Sequence, residues 1–453
     1  MHVRVRPSPF SSSEPSGSSS DHSDKEIKTS GHYWPEVFLC VKTGGCRVSF
    51  VSANADKCDI LSDMKKGSRC TICTGCGRCF GEFENSCDII TLKKGSPVSG
   101  SPALRPMICT DIGTTTVAMV YVGTDGKVTD TYVCLNPQGR FGADVLSRIK
   151  ASADKFALEE MKESIRNVIG SGVKKFIREN DLSGSIDMYV SANTTMTYLL
   201  MGYNPAELGE APFTSSHING DSYEMKISDV TVSVNVLPGF SAFVGSDIYS
   251  GILAADICSS DKYRLLCDLG TNGEIALGNK DHLYVTATAA GPAFEGGPCK
   301  GIWGADMIHL TSVLLKGGYA DRRGLLKDPW FDEGIDIGNV HITQESIRAL
   351  QLAKAAMNAG IKIICKKAGI TFGEIEKCTL SGGFGVHLNP WDAAYIGLLP
   401  GELINICIAG GNTSLAGAYS FATGACITQT PEVINLALEP DFNDLYTSAI
   451  DFP

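Results

Sequence analysis

The chain has 453 residues, a formal net charge of −11 and 17 cysteines. Such a length can bury a sizeable core and predicts two to four domains. The acidic balance, without a long stripe of Lys and Arg, excludes the surface expected of a nucleic-acid-binding protein. No apolar run reaches the roughly 18 residues that a membrane-spanning helix needs, so neither nucleic acid nor membrane is expected as a partner.

The N-terminal segment, residues 1–32, is rich in Ser, Pro and acidic residues. It offers too little apolar surface to offset the entropy of ordering, so we predict a disordered tail. It also lacks the apolar stretch of a signal peptide, which makes the cytoplasm the expected compartment. Because that compartment is reducing, clustered cysteines are better explained by metal binding than by disulfides.

Residues 33–92 form a predicted cysteine-rich module that holds eight of the 17 cysteines. Four of them follow a C-x2-C-x2-C-x2-C pattern, close to the bacterial ferredoxin run that binds a [4Fe–4S] cluster. We therefore predict an iron–sulfur cluster here. The candidate ligands are Cys70, Cys73, Cys76, Cys79 and Cys87.

The fourth cluster ligand is open between Cys79 and Cys87. In the ferredoxin run the last cysteine follows three intervening residues and precedes Pro, whereas Cys79 comes one residue early and precedes Phe80. The main alternative to a cluster is a structural zinc site with four thiolates, since such sites also use paired C-x2-C segments. A second metal could be held by Cys40, Cys46 and Cys58.

A Gly/Ser/Pro linker at residues 93–105 precedes a longer region with an α/β pattern. Short β-branched runs predict strands at 107–113, 115–122, 187–193, 264–270, 273–279 and 377–383. Helices are predicted across 143–180 and 342–369, the first of them broken near residues 151–155, where Ser152 or Asp154 would cap the second part. We expect two lobes, at residues 106–255 and 256–453.

One short sequence motif occurs twice in this region. The stretch CTDIGTTTVAM (109–119) is repeated in design by CDLGTNGEIAL (267–277): an Asp closes a strand, then Gly, Thr and a small polar residue lead into another strand. Glycines let the backbone approach phosphate oxygens, and Thr hydroxyls and backbone N–H groups donate to them. Phosphate binding is therefore assigned to Gly113, Thr114, Thr115, Gly270, Thr271 and Asn272.

Acidic residues at the same turns supply the remaining chemistry. Asp111 and Asp268 could hold Mg²⁺ directly or through water. Glu274 and Glu295 are the acidic groups near the second turn that could orient an attacking water. The catalytic candidates are thus Asp111, Asp268 and Glu274.

This paired-turn pattern is similar to the actin, sugar-kinase and Hsp70 superfamily, whose two lobes each begin with a phosphate hairpin. The resemblance implies a glycine-rich adenosine motif, which TLSGGFG (379–385) fits through Gly382 and Gly383. A further turn in IAGGNTSLAGA would complete the nucleotide pocket at Gly411 and Asn412.

A narrower likeness runs from about residue 106 to about residue 428. NPQGRFGADVLSRI, SANTTMTYLLMGYNPAELGEAPF, LPGFSAFVGSDI and TAAGPAFEGG keep their order and resemble the ATPase domain of the reductive activators of corrinoid proteins. The resemblance implies a two-lobed ATPase domain joined to an iron–sulfur module, which in this chain precedes the ATPase domain instead of following it as in some members. Its implied cofactors are ATP, Mg²⁺ and an iron–sulfur cluster.

The activity that this resemblance implies is the ATP-dependent reduction of an inactive Co(II) corrinoid to the Co(I) state. The implied partners are a corrinoid protein or corrinoid-dependent methyltransferase and a low-potential electron donor. The chain departs from the family in its module, because a plant-type C-x4-C-x2-C loop is not visible. The cluster type and the donor therefore stay open, and a homodimer is one arrangement the sequence allows.

Three alternatives remain at this point. An activator of the 2-hydroxyacyl-CoA dehydratase kind would drive its electron into another iron–sulfur enzyme. A small-molecule kinase with a zinc-stabilised module would use the same two hairpins, but it needs a catalytic carboxylate, and none was identified between them. The third is an Hsp70-like or actin-like binding module.

Overall fold

The computed structural model describes residues 37–42, 47–52, 105–270, 272–288, 304–337, 340–382 and 388–453. The predicted tail, most of the cysteine-rich module and nearly all of the linker lie outside these ranges. Within them no helix is both long and apolar enough to cross a membrane.

The strands and helices alternate along most of the described chain. The strands are β1 Val37–Lys42, β2 Arg47–Ser52, β3 Met107–Ile112, β4 Thr116–Val122, β5 Val128–Leu135, β6 Gly184–Ala192, β7 Asp221–Ile227, β8 Val230–Val236, β9 Tyr263–Leu269, β10 Gly273–Gly278, β11 Leu283–Thr288, β12 Ile335–Ile337, β13 Val340–Ile342, β14 Ile375–Ser381, β15 Cys407–Gly411 and β16 Glu432–Ile434. The helices are α1 Val145–Ala151, α2 Lys155–Asn180, α3 Thr194–Met201, α4 Ala206–Gly209, α5 Ser246–Ala255, α6 Gly304–Lys316, α7 Trp330–Glu333, α8 Gln344–Ala368, α9 Pro390–Tyr395, α10 Thr413–Ala422 and α11 Phe442–Ser448.

Two six-stranded sheets share a five-strand topology and differ in the sixth strand, which is β7 antiparallel to β8 in the first sheet and β16 parallel to β11 in the second. The first has the order β5-β4-β3-β6-β8-β7 and the second the order β15-β14-β9-β10-β11-β16. In each, an antiparallel meander (β3-β4-β5 and β9-β10-β11) is extended by two parallel strands (β6 and β8, β14 and β15). A smaller sheet joins β1 and β2 to β12 and β13.

Helix α2 covers one face of the first sheet. Its buried residues Met161, Ile165 and Ile169 recur four apart, so they share one side of the helix and pack with strand residues such as Ile108 and Val232. In the second sheet α8 plays this part, with Ile347, Leu350 and Ile361 among its fully buried side chains. Both sheets therefore have a helix-covered face with an apolar core.

The opposite faces of the two sheets are covered by exchanged helices. Helix α5 follows the first sheet's strands, yet its Ile252 packs with Leu266 of the second sheet. Helix α10 follows β15 of the second sheet, yet its Leu415 packs with Cys109 of the first. The two helices cross so closely that a Cβ on Gly417 would lie 1.9 Å from the Ser250 carbonyl oxygen. This crossing joins the two halves.

Most predicted elements are confirmed. All six predicted strands are present, and the first long helix breaks as expected, with Asp154 accepting a hydrogen bond from Phe156 N at the start of α2 (2.9 Å). The pattern missed several strands, among them β7 and β8.

Arg148 of α1 is 1% exposed, because its guanidinium donates inward to the Thr114 carbonyl. Cys426 is exposed, whereas Cys109, Cys267, Cys365 and Cys378 are buried.

Candidate functional site

The turn between β3 and β4, the first hairpin, is held by hydrogen bonds to three consecutive carbonyl groups. Asn136 Nδ2 donates to Gly113 O (2.8 Å), Arg148 Nη2 to Thr114 O (2.6 Å) and Asn136 N to Thr115 O (2.8 Å). In a trans peptide the C=O and the following N–H point in opposite directions. The N–H groups after these carbonyls therefore point away from Asn136 and Arg148, and such a row of amides suits an anion.

Asp111 ends β3 beside this hairpin, and both of its carboxylate oxygens accept hydrogen bonds. Asn412 Nδ2 donates to Oδ2 (2.8 Å), and Ser414 Oγ donates to Oδ1 (2.7 Å). Burial raises the pKa of Asp111, and these two hydrogen bonds oppose that rise. Asn412 also caps α10, since its Oδ1 accepts from Leu415 N (2.8 Å). The start of α10 thus fixes the orientation of the Asp111 carboxylate.

The turn between β9 and β10, the second hairpin, places Asp268 in a corresponding position. Gly270 N donates to Asn272 O (3.0 Å) and closes the turn. Ser381 Oγ, at the end of β14, donates to Asp268 Oδ2 (2.7 Å). Asp268 therefore receives a hydrogen bond from the neighbouring parallel strand.

Gly382 brings the predicted adenosine motif against the second hairpin. Its φ is +94°, and a Cβ there would lie 2.2 Å from the Leu269 carbonyl oxygen and 2.9 Å from Asp268 Oδ1. No side chain fits this space, so the position requires glycine. The backbone after β14 can then lie directly on the strand that carries Asp268.

Four carboxylates influence one another at the ends of these strands. Burial, followed by repulsion from Asp268, raises the pKa of Asp247 to about 7. Burial raises the pKa of Asp268 to about 6, with a further contribution from Asp111. Glu274, 5% exposed, has its pKa raised well above the usual range by burial and then by Asp247 and Asp268. In the part of the chain that the structure describes, burial and like charge dominate these shifts and no Lys or Arg is among their causes, so the cluster is short of positive charge there.

A Mg²⁺ ion would compensate the lack of positive charge at these carboxylates. Among the described residues no three acidic, His or Cys side chains converge closely enough to hold a metal by themselves. Mg²⁺ typically keeps several waters and binds through one or two carboxylates plus substrate phosphates. The arrangement suits an ion that arrives with a polyphosphate rather than one in an all-protein cage.

Helix α3 is also tied to the first hairpin. Asn193 Oδ1 accepts from Met196 N (2.9 Å) and caps α3, while its Nδ2 donates to Thr114 Oγ1 (3.2 Å). Asn193 thus caps the helix and contacts the first hairpin at the same time. Gly411, with φ +68°, turns the chain from β15 into α10.

Some predicted site residues lie outside the described residues. These are Thr271, Gly383, Glu295 and the cysteines Cys70, Cys73, Cys76, Cys79 and Cys87. The remaining candidates, at both hairpins, in the turn after β14 and at the start of α10, surround the carboxylate cluster.

Sequence reasoning missed three side chains of this arrangement. Asp247 lies in a stretch that had been compared with a family, LPGFSAFVGSDI, but was not itself selected. A usable signal was present, because an Asp one residue inside a helix after Gly245 is favourably placed in its first turn. Ser381 and Ser414 carry no such signal, since their role depends on strands and helices distant in sequence.

Family models match most of the chain. The model described as the RACo middle region matches residues 107–260, and the one described as the C-terminal domain of RACo, the ASKHA domain, matches residues 262–301 and 298–453. The first match spans the first hairpin and α5, and the second spans the second hairpin and α10.

Individual relatives agree with these matches. The chain is 29% identical to the corrinoid activation enzyme RamQ of Eubacterium limosum, over 75% of this chain and 69% of that protein. It is 24% identical to the [Co(II) methylated amine-specific corrinoid protein] reductase of Methanosarcina barkeri, over 48% of each. A solved reductive activator for corrinoid, iron-sulfur protein superposes with a TM-score of 0.69 and 29% identity, covering 78% of this chain and 67% of that structure.

The predicted fold class is confirmed for the described ATPase region: two α/β halves, each opening on a hairpin, in an ASKHA domain. Together the two family models cover well over half of the 453 residues. The chain belongs to the RACo family.

Proposed function

We propose that this protein is an ATP-dependent reductive activator that converts an inactive Co(II) corrinoid protein to its Co(I) state. The observation that carries the proposal is the meeting of two hairpin carboxylates, Asp111 and Asp268, in one electrostatically coupled cluster. This cluster lies in a RACo-family chain whose relatives are named as corrinoid activators and reductases.

ATP is proposed to lie with its phosphates between the two hairpins. The first hairpin would contribute the N–H groups that follow its three tied carbonyls, together with the Thr114 and Thr115 hydroxyls. Gly270 leaves room at the second, because among the described residues the nearest atom to a Cβ there, apart from its chain neighbours, would be Asn272 O at 3.7 Å. Gly382 and Gly411 would border the nucleoside side.

Asp247 is the residue we assign to orienting the attacking water. A base works best when its pKa lies near the operating pH, and burial with repulsion from Asp268 raises that of Asp247 to about 7. Burial, followed by repulsion from Asp247 and Asp268, raises the pKa of Glu274 well above the usual range. We propose that Glu274 influences Asp247 through this repulsion, while Asp268 and Asp111 face the metal-bound phosphates.

The proposal includes two bound groups, a Mg²⁺ ion that arrives with the nucleotide and an iron–sulfur cluster held by the protein. Mg²⁺ would neutralise the phosphate charge and would be held by Asp111 and Asp268, directly or through water. An iron–sulfur cluster would supply one-electron transfer, and its thiolate ligands would be Cys70, Cys73, Cys76 and either Cys79 or Cys87.

Nucleotide is needed because the electron must move uphill. A 100 mV deficit costs about 2.3 kcal/mol for one charge, so a donor a few hundred millivolts above cobalt would not reduce it unaided. ATP binding can shift such an equilibrium only if it changes the relative affinity for the two redox states of the partner. We propose that lobe closure about the α5–α10 crossing provides this difference and that hydrolysis resets it.

Membership in the RACo family argues against the kinase alternative, whereas the geometry of the carboxylate cluster does not. It had lacked a carboxylate between the hairpins, yet Asp247 supplies one. Membership in the RACo family, and the names of its corrinoid-related members, favour electron transfer.

The proposal is tested with protein purified without oxygen. We expect iron and acid-labile sulfide in the preparation, and an ATPase rate that rises when a Co(II) corrinoid protein is added. Zinc without iron, together with a rate indifferent to the corrinoid protein, would overturn it. Phosphate transfer to a small-molecule hydroxyl would instead support the kinase.

A further inference from the structure

We infer that Ser414 and Ser191 are positioning residues that prepare the Asp111 carboxylate for Mg²⁺, through a line of buried hydroxyl groups running to the start of α5. This inference rests on the proposed function, because it assumes that Asp111 faces a nucleotide-bound Mg²⁺.

The line consists of consecutive oxygen atoms at hydrogen-bond distance. Ser414 Oγ lies 2.7 Å from Asp111 Oδ1 and 2.8 Å from Ser191 Oγ. Ser191 Oγ in turn lies 3.0 Å from the Ser246 carbonyl oxygen. The Ser246 hydroxyl is bonded on both sides to the backbone of Ala192, accepting from N and donating to O, each at 2.9 Å.

All three serines are shielded from solvent. Ser191 is 0% exposed, Ser246 2% and Ser414 8%. In such surroundings water does not replace a lost partner, and an unpaired hydroxyl or carboxylate oxygen costs free energy. The line therefore has defined partners rather than exchangeable ones.

Proton counting gives the line a direction. An ionised carboxylate can only accept, so the single Ser414 proton goes to Asp111. The Ser191 hydroxyl then has one proton for two acceptors, Ser414 Oγ and Ser246 O, and serves both only by sharing that proton. Bonds to an anion are shorter and stronger than neutral ones, so Ser414 is the member whose loss affects Asp111 most.

The consequence for the metal is geometric. With Asn412 Nδ2 on Oδ2 and Ser414 Oγ on Oδ1, rotation of the Asp111 carboxylate is blocked from both sides. An anionic carboxylate has about four acceptor positions, so these two bonds leave others for a cation or its waters. The line ends at the residue before Asp247, so it also ties the metal-facing carboxylate to the helix that carries the proposed base.

The test compares serine-to-alanine variants of the full-length protein. Binding of a non-hydrolysable ATP analogue is measured by calorimetry at increasing Mg²⁺ concentration and again in EDTA. The matched control is Ser250→Ala, because Ser250 is also fully buried, lies on α5 and has a hydroxyl without a hydrogen-bond partner among the described residues.

Ser414→Ala should raise the half-saturating Mg²⁺ concentration about 10-fold, as expected for the loss of one hydrogen bond to a charged group. Ser191→Ala should raise it less, about 3-fold. Neither should change binding in EDTA, and Ser250→Ala should change neither quantity. A general structural defect would instead weaken binding in both conditions.

Normal Mg²⁺ dependence in Ser414→Ala and Ser191→Ala would overturn the inference and leave the proposed function intact. If Ser414→Ala does not fold, Ser191→Ala alone decides, since its expected shift is separate. A wild-type protein that does not bind the analogue with Mg²⁺ would overturn both the proposed function and this inference.

Discussion

The two halves of the described chain share the topology of five strands but surround their hairpin carboxylates differently. In the first half Asp111 has a neutral hydrogen-bond donor on each carboxylate oxygen, both from the start of α10. In the second half, among the described residues, Asp268 has one such donor, Ser381, and is coupled to Asp247 and Glu274. The two halves thus repeat a backbone arrangement, but the electrostatic surroundings of their hairpin carboxylates differ.

This difference suggests a division of labour between the halves. A carboxylate fixed by two donors is suited to orienting a metal, because its geometry is set before the ion binds. A carboxylate crowded by like charges has a raised pKa and suits a site where charge and protons change during reaction. We propose that the first hairpin orients the metal ion and that the second hairpin, together with Asp247, takes part in the hydrolysis of ATP.

The largest effect is expected from Asp247→Asn. Removing the proposed base should lower the ATPase rate by about 10²- to 10⁴-fold while the affinity for Mg²⁺ and an ATP analogue changes little. The control is Asp256→Asn at the other end of α5, where Asn tolerates the left-handed φ of +58°. An Asp247→Asn protein that hydrolyses ATP at the normal rate would remove Asp247 from the reaction.

The repeat itself could be predicted from the sequence, and the division of labour could not. Asp-x-Gly-Thr turns after β-branched runs are local patterns, so β3, β9 and their hairpins were found at their correct positions. Ser414 reaches Asp111 across about 300 positions, and Ser381 reaches Asp268 across 113. Such contacts follow from strand order and the exchange of α5 and α10, which composition and periodicity do not encode.

Gly382→Ala should destabilise the second half of the described chain more than the first half. The new methyl group would lie 2.2 Å from the Leu269 carbonyl oxygen, and the alanine backbone would have to keep a φ of +94°. We expect a loss of about 2–4 kcal/mol in the free energy of unfolding, from steric overlap and backbone strain together, and weaker nucleotide binding.

The comparison variant is Gly369→Ala, which has a similar positive φ of +67° but nothing within 4 Å of its Cβ. It should lose only the strain component, about 1 kcal/mol. Denaturant unfolding of both proteins measures the difference. Equal losses would show that contact with the second hairpin does not matter.

Gly417→Ala tests the crossing that joins the halves. A Cβ would lie 1.9 Å from the Ser250 carbonyl oxygen, so α5 and α10 would have to separate. We expect a loss of about 1–3 kcal/mol in the free energy of unfolding. Gly170→Ala in α2, whose Cβ would lie 3.3 Å from Ile227 Cδ1 and 4.0 Å from Met225 Cε, both ends of flexible side chains, should be neutral or stabilising by up to about 1 kcal/mol. Equal stability in the two variants would contradict the tight crossing.

The smallest effect concerns pH. Asp268 and Asp247, with pKa values raised to about 6 and about 7, bind protons more tightly when folded than when unfolded. Their contribution to stability is therefore full below about pH 4 and declines as pH rises towards 7. Without nucleotide or Mg²⁺, Asp268→Asn should flatten this decline in thermal unfolding midpoints between pH 4.5 and 7.5. An unchanged slope would contradict the proposed charge crowding.

The most direct measurement of the central claim follows cobalt itself. Oxygen-free protein is mixed with a Co(II) corrinoid protein and a low-potential reductant, and Co(I) is followed by its absorbance with ATP, with a non-hydrolysable analogue, and with Asp247→Asn plus ATP. We predict sustained Co(I) formation only with wild-type protein and ATP. Equal Co(I) formation without nucleotide, or undiminished formation by Asp247→Asn, would contradict the account.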